Sequence, residues 1–123
     1  MTDYPEMTDS QSSYQDVPDS ALYSHEAEYA LIGSMIQHPD LIDDVGGKLS
    51  VGDFHHPACA ELFEVVSALR SKGRAVDVVT ICEARPHLAD GQSSLAVAGL
   101  LVQNTPSAAN FDEYGRIVKQ RSA

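Results

Sequence analysis

The sequence predicts an all-α protein, a small helical bundle head followed by a C-terminal antiparallel helical hairpin. Three observations carry this. Apolar residues recur at helical spacing in several separate stretches, most clearly Cys59, Leu62, Phe63, Val66 and Leu69. Helix-start and helix-stop residues bracket those stretches. The single stretch with strand composition, Val76 to Ile81, has no second strand to pair with.

Length and charge set the outer limits. The 123 residues leave room for one domain and a tail. Lys and Arg number 8 against 18 Asp and Glu, a formal net charge of −10, which disfavours a phosphate-binding surface and direct nucleic-acid binding. Residues 1–20 hold Asp3, Glu6, Asp9, Asp16 and Asp19, no base and almost no aliphatic residue, so they are expected to form a disordered acidic tail. The remaining 21–123 form the helical domain, with the head at about 24–92 and the hairpin at about 93–121. The N-terminus lacks the apolar core of a signal peptide, and no apolar run approaches the ~20 residues of a membrane span, so a soluble cytoplasmic protein is expected. Cys59 and Cys82 lie in apolar runs without a disulfide framework and are expected to be free thiols.

The first helix is expected to open at Ser24 as N-cap, with Glu26 and Glu28 complementing its positive dipole end as a charged solvent face. Ala27, Leu31 and Met35 share one face, and Tyr29, Ile32 and Ile36 form a second, so this helix must be covered on two sides. Gly33 costs about 1 kcal/mol against alanine in a helix interior, which implies that a neighbouring helix comes close there. His38-Pro39 ends the helix.

Pro39 suits the start of a short second helix with Leu41, Ile42 and Val45 on its apolar edge, stopped by Gly46-Gly47. Lys48 after those glycines does not make a phosphate loop: Ile42 stands where the first glycine belongs and Leu49 where Ser or Thr must follow the lysine. Pro57 starts the third helix, whose Glu61, Glu64, Ser67 and Ser71 face outward, and Gly73 terminates it. Asp77 is expected to cap a fourth helix that ends at Arg85-Pro86.

Ser93 or Ser94 caps a fifth helix through Leu95, Val97, Ala98, Leu100, Leu101 and Val102. Asn110 with Glu113 resembles a capping box opening a sixth helix striped by Phe111, Tyr114, Ile117 and Val118. About six residues join these two helices, which suits an antiparallel hairpin. The pair carries more apolar surface than it can hide between its own members, and such surface marks a protein interface. Leu95, Leu100, Leu101, Tyr114, Ile117 and Val118 are therefore the candidate dimer interface. Folding of the hairpin back onto the head, completing one monomeric core, accounts for the same spacing equally well.

Catalytic chemistry finds no foothold. His55, His56 and Cys59 offer a nitrogen and a sulfur on one face, but a zinc site needs three or four ligands. His25, His38 and His87 stand alone and read as surface or capping residues, and Asp43-Asp44 reads as a solvated face. No catalytic residue, cofactor or metal is expected, and the chain reads as a non-enzyme.

Four stretches, in order, resemble one family. Ser24-His25-Glu26-Ala27-Glu28 with Leu31-Ile32-Gly33, Asp53-Phe54 with Phe63, Val76-Asp77-Val78-Val79-Thr80, and Asn104-Thr105-Pro106-Ser107-Ala108-Ala109-Asn110 with Tyr114 and Ile117-Val118 are similar to the N-terminal domain of the bacterial replicative hexameric DNA helicase, DnaB-type. The resemblance runs from Ser24 to about Arg121. It implies a helical head and hairpin, self-association as a dimer and in the collar of a hexamer, and docking of the primase C-terminal domain, with other replisome or helicase-loading proteins as further partners. It implies that the ATP-driven motor lies in a separate domain. Three other readings compete: a stand-alone regulator, phage-borne for example, that mimics this domain and binds helicase or primase; the helicase-binding domain of a primase, against which the order of the motifs argues; and an unrelated small helical enzyme.

Overall fold

The computed structural model describes residues 19–105 and 109–122. Among the described residues six α-helices follow one another: α1 Asp19–Gln37, α2 Asp40–Gly46, α3 Pro57–Ser71, α4 Val78–Ala84, α5 Ser94–Asn104 and α6 Phe111–Ser122, with a 3-10 turn at Val51–Asp53. The all-α expectation is met; the stretch Val76 to Ile81 supplies a helix start instead of a strand. The expected tail lies outside the described residues except for its last two, which belong to α1.

α1 is the pillar of the fold. It packs most extensively on α6, then on α5, then on α3. Leu31, Ile32 and Met35 are fully buried and Ile36 nearly so, so both of its apolar faces are covered. It begins at Asp19, five residues before the expected cap, and Ser24 lies inside it. Gly33 does permit a close approach: a Cβ there would lie 2.0 Å from Thr105 Oγ1 and 2.8 Å from the Leu101 carbonyl oxygen. The hydroxyl of Thr105 donates to that same carbonyl at 2.6 Å, closing the end of α5 against the middle of α1. Gln37 adds a further tie, its Nε2 donating to the Val102 carbonyl at 3.0 Å.

α3 fills the other half of the core with the expected stripe, Cys59, Leu62, Phe63, Val66 and Leu69 all buried. Phe63 stacks on Phe54, ring centroids 4.9 Å apart. The helix ends in a Schellman turn: the Arg74 amide donates to the Leu69 carbonyl at 2.9 Å and the Gly73 amide to Arg70 at 3.0 Å. Gly73 supplies the positive φ of 71° that this turn requires. Two α3 residues expected to face solvent do not. Glu61 is half-buried and accepts the Ala89 amide at 2.9 Å, which pins the loop after α4, and the Ser67 hydroxyl is buried.

Capping fixes the remaining starts. Asp77 and Thr80 form a reciprocal box at α4, the Thr80 amide donating to Asp77 at 2.8 Å and the Asp77 amide to Thr80 Oγ1 at 2.9 Å. Ser93 accepts the Ala96 amide at 3.2 Å and so caps α5, while Ser94 turns into the core. At α6 the Glu113 carboxylate is engaged by Arg116 Nε at 3.2 Å. The last two helices lie back on the head: α5 and α6 each pack on α1 more than on one another.

Candidate functional site: an apolar groove between the last two helices

Because α5 and α6 lie side by side on α1 without closing on each other, a groove of about 700 Å³ runs between them. Ala27, Tyr29 and Ala30 of α1 form its floor. Val97, Leu100 and Leu101 form the α5 wall, and Tyr114 and Ile117 the α6 wall. Glu26, His56, Gln92 and Asn104 are the polar groups on its rim. Leu100 stands 57% exposed on the edge, a large side chain with little of its own chain to lie against.

Four of the six candidate interface residues, Leu100, Leu101, Tyr114 and Ile117, therefore line one groove. Leu95 is 45% exposed on the first turn of α5 but does not line the groove, and Val118 is fully buried in the core.

A buried carboxylate, which the sequence reading placed at the surface, builds the end of the groove. Glu28 has no solvent exposure. Its two oxygens accept the backbone amides of His55 at 2.8 Å and His56 at 2.9 Å, immediately before Pro57 opens α3. Two charge-assisted bonds at the positive end of a helix compensate the burial of the charge. His56 completes the cap by accepting the Ala58 amide on Nδ1 at 3.2 Å, which turns its ring edge-on to Tyr29 and His25 at centroid distances of 5.1 and 5.5 Å. His25 thus belongs to a ring cluster instead of standing alone. Burial raises the Tyr29 phenol above its ordinary pKa, with the nearby Cys59 and Glu28 adding to the effect. The Cys59 thiol is pushed up more strongly, by burial first and by Glu28 second, so it carries no thiolate chemistry.

The other metal candidates are otherwise engaged. The His55 ring donates through Nε2 to the Arg121 carbonyl at 2.8 Å, and Cys59 is sealed in the core. Among the described residues no group of three or more His, Cys, Asp or Glu could hold a metal ion, and no helix is long and apolar enough to cross a membrane.

A second cleft of about 700 Å³ separates α2 from α6, with Val45, Leu49 and Phe111 at its base. Its rim is charged, but Arg116 pairs with Glu113, and Lys119 lies 3.5 Å from Asp53. The α5–α6 groove differs in having a large apolar side chain, Leu100, exposed on its edge.

The fold and groove define the class as an all-helical domain with an open, mostly apolar groove between its last two described helices. Its sequence matches the DnaB-like helicase N-terminal domain over residues 20–120, and the chain belongs to that family. It is 28% identical over 102 residues to the replicative DNA helicase DnaB of Pasteurella multocida, covering 81% of this chain and 22% of that protein. It is 30% identical over 98 residues to the replicative DNA helicase DnaB of Mycobacterium leprae, covering 78% of this chain and 16% of that protein. The chain thus spans about a fifth of the length of these relatives. Among solved structures it is similar to the N-terminal domain of DnaB helicase from Mycobacterium tuberculosis, with a TM-score of 0.69 and 29% identity, covering 79% of this chain and 71% of that one. What matches is the N-terminal, non-catalytic domain.

Proposed function

We propose that this chain acts as the interaction and oligomerisation domain of a replicative DNA helicase in the cytoplasm, pairing with copies of itself, contributing to an N-terminal collar and docking the primase C-terminal domain during replication. The observation that carries the reading is the groove between α5 and α6, with Leu100 standing on its edge. Two copies related by a two-fold axis can each cover the other's groove, the commonest way for identical chains to bury an apolar patch. Apolar burial contributes about 25 cal/mol per Å², against an association cost of about 4–15 kcal/mol, so exposed side chains such as Leu100 must be covered along with the groove for pairing to hold. Micromolar pairing is the expected outcome.

Sedimentation equilibrium tests the pairing. The chain should dimerise below 100 µM, and Leu100→Asp should give a folded monomer, because that side chain contributes little to the core. Val118→Asp serves as the contrast and should unfold the protein. A wild-type monomer at 100 µM overturns the pairing. Titration calorimetry with a primase C-terminal domain tests docking separately, and absence of heat at 100 µM removes primase from the partners.

A further inference from the structure

A hydrogen bond that a single proton can reverse stands at the end of the groove. His56 Nδ1 accepts the Ala58 amide at 3.2 Å. A backbone N–H can only donate, so the contact requires an unprotonated Nδ1 and puts the proton of the neutral ring on Nε2. A protonated imidazole carries donors on both nitrogens. Two donors would then face each other across the cap, at the positive end of α3, and the ring would have to turn away from Ala58. Histidine is the side chain whose ordinary titration falls between about pH 5 and 8. The same ring lines the groove and stands edge-on to Tyr29 and His25, so it cannot turn without changing the groove's rim.

The groups around the ring decide what a charged imidazole would meet. On α1 these are His25, Glu26, Glu28 and Tyr29. The Tyr29 phenol, raised by burial, stays neutral, as does the Cys59 thiol on α3. From the loop after α4 comes Asp90, whose carboxyl is held below its usual range chiefly by the amide and side chain of Gln92 and in smaller part by His56. Glu26 and, on α6, Tyr114 line the groove together with His56. Glu26, Glu28 and Asp90 supply negative charge, so the charged ring is tolerated without unfolding. What changes is local: the cap is lost, and a cation stands beside apolar walls. Covering that cation with a second apolar surface strips its water and is costly.

We propose that His56 is a proton-sensitive cap that controls self-pairing through the groove: neutral, its ring is held by Ala58 and the rim accepts a second copy of this chain; protonated, the ring leaves the cap, charges the rim and weakens the pair. The inference rests on the reading of the groove as the pairing surface.

Nuclear magnetic resonance of the full chain from pH 8 to pH 5 tests the cap. The Ala58 amide signal should move with the same midpoint as the His56 ring carbons. Sedimentation equilibrium tests the consequence: the dissociation constant of the pair should rise at least threefold between pH 7.5 and pH 5.5. His56→Asn keeps a capping acceptor that does not titrate, so it should fold, pair and lose that pH dependence. An Ala58 amide that ignores the titration of His56, pairing that does not weaken with acid, or a full pH response in His56→Asn overturns the proposal. Absence of pairing at every pH would strike the groove reading, while the Ala58 signal still judges the cap, so the two failures are distinguishable.

Discussion

Gly33→Ala isolates the contact that sets the floor of the groove. Alanine at an interior helical position is intrinsically favoured over glycine by about 0.8–1 kcal/mol. The new methyl opposes this gain, because it would sit 2.0 Å from Thr105 Oγ1, 3.0 Å from Thr105 Cβ and 2.8 Å from the Leu101 carbonyl oxygen. A flexible side-chain end could yield, but Thr105 is β-branched, and its hydroxyl is already bonded to that carbonyl at 2.6 Å. The carbonyl is helix backbone, so α5 must retreat by several tenths of an ångström along the crossing. Overpacking of this kind costs about 1–3 kcal/mol. The net effect is a loss of about 0–2 kcal/mol, a fall in Tm of several degrees for a domain of this size. Gly99→Ala provides the control: it lies in α5, its Cβ would meet nothing within 4 Å, and it should stabilise by about 1 kcal/mol. Thermal unfolding followed by circular dichroism reads both. If Gly33→Ala raises Tm as Gly99→Ala does, the close crossing of α1 and α5 is not present in solution.

Other expectations follow from single sites. Phe63→Ala empties a site that is 4% exposed and stacked on Phe54, and should cost about 3–5 kcal/mol by denaturant titration. Thiol titration of the native protein should modify the half-buried Cys82 first, with Cys59 reacting only as the protein unfolds; prompt reaction at both would contradict the burial of Cys59. Arg70 hydrogen-bonds Asp43 at 2.9 and 3.2 Å and holds its carboxyl below the usual range. A depressed folded-state pKa means that the pair helps above the unfolded carboxyl pKa and is lost as pH falls through the folded one. Arg70→Gln should therefore return Asp43 to an ordinary pKa by NMR, with little change in stability because the pair is exposed.

Local signals survived the passage from sequence to structure, and distant ones did not. The Gly73 turn and the Asp77 cap depend on residues within five positions, and both could be read from spacing. Gly33 was legible for a different reason: a glycine that weakens a helix interior points to a neighbour, although nothing local says that the neighbour is Thr105. Glu28 was misjudged because its partners lie 27 and 28 residues away and are backbone amides, which have no side-chain signature. At the start of a helix a glutamate looks like a dipole-complementing surface charge whether it points in or out. The stripe on α6 shows the same limit. Tyr114, Ile117 and Val118 share a periodic face, but only the position of α1 divides it into a groove wall and a core residue. Ser24 looked like a cap because it precedes two acids, while the helix runs on through Ala21 and Leu22 to Asp19.

The packing of α6 on α1 joins distant parts of the domain in time as well as in space. During vectorial synthesis α1 emerges well before α6, and its α6-facing surface has no cover until Val118, 87 residues after Leu31, has left the ribosome. Closing so long a loop must precede the reward of that contact, which slows folding relative to a bundle of neighbouring helices. A nascent chain halted before α6 would display an uncovered apolar helix face to whatever is nearby, chaperone or identical chain alike. Among the described helices, α6 is thus the one that ends that exposure.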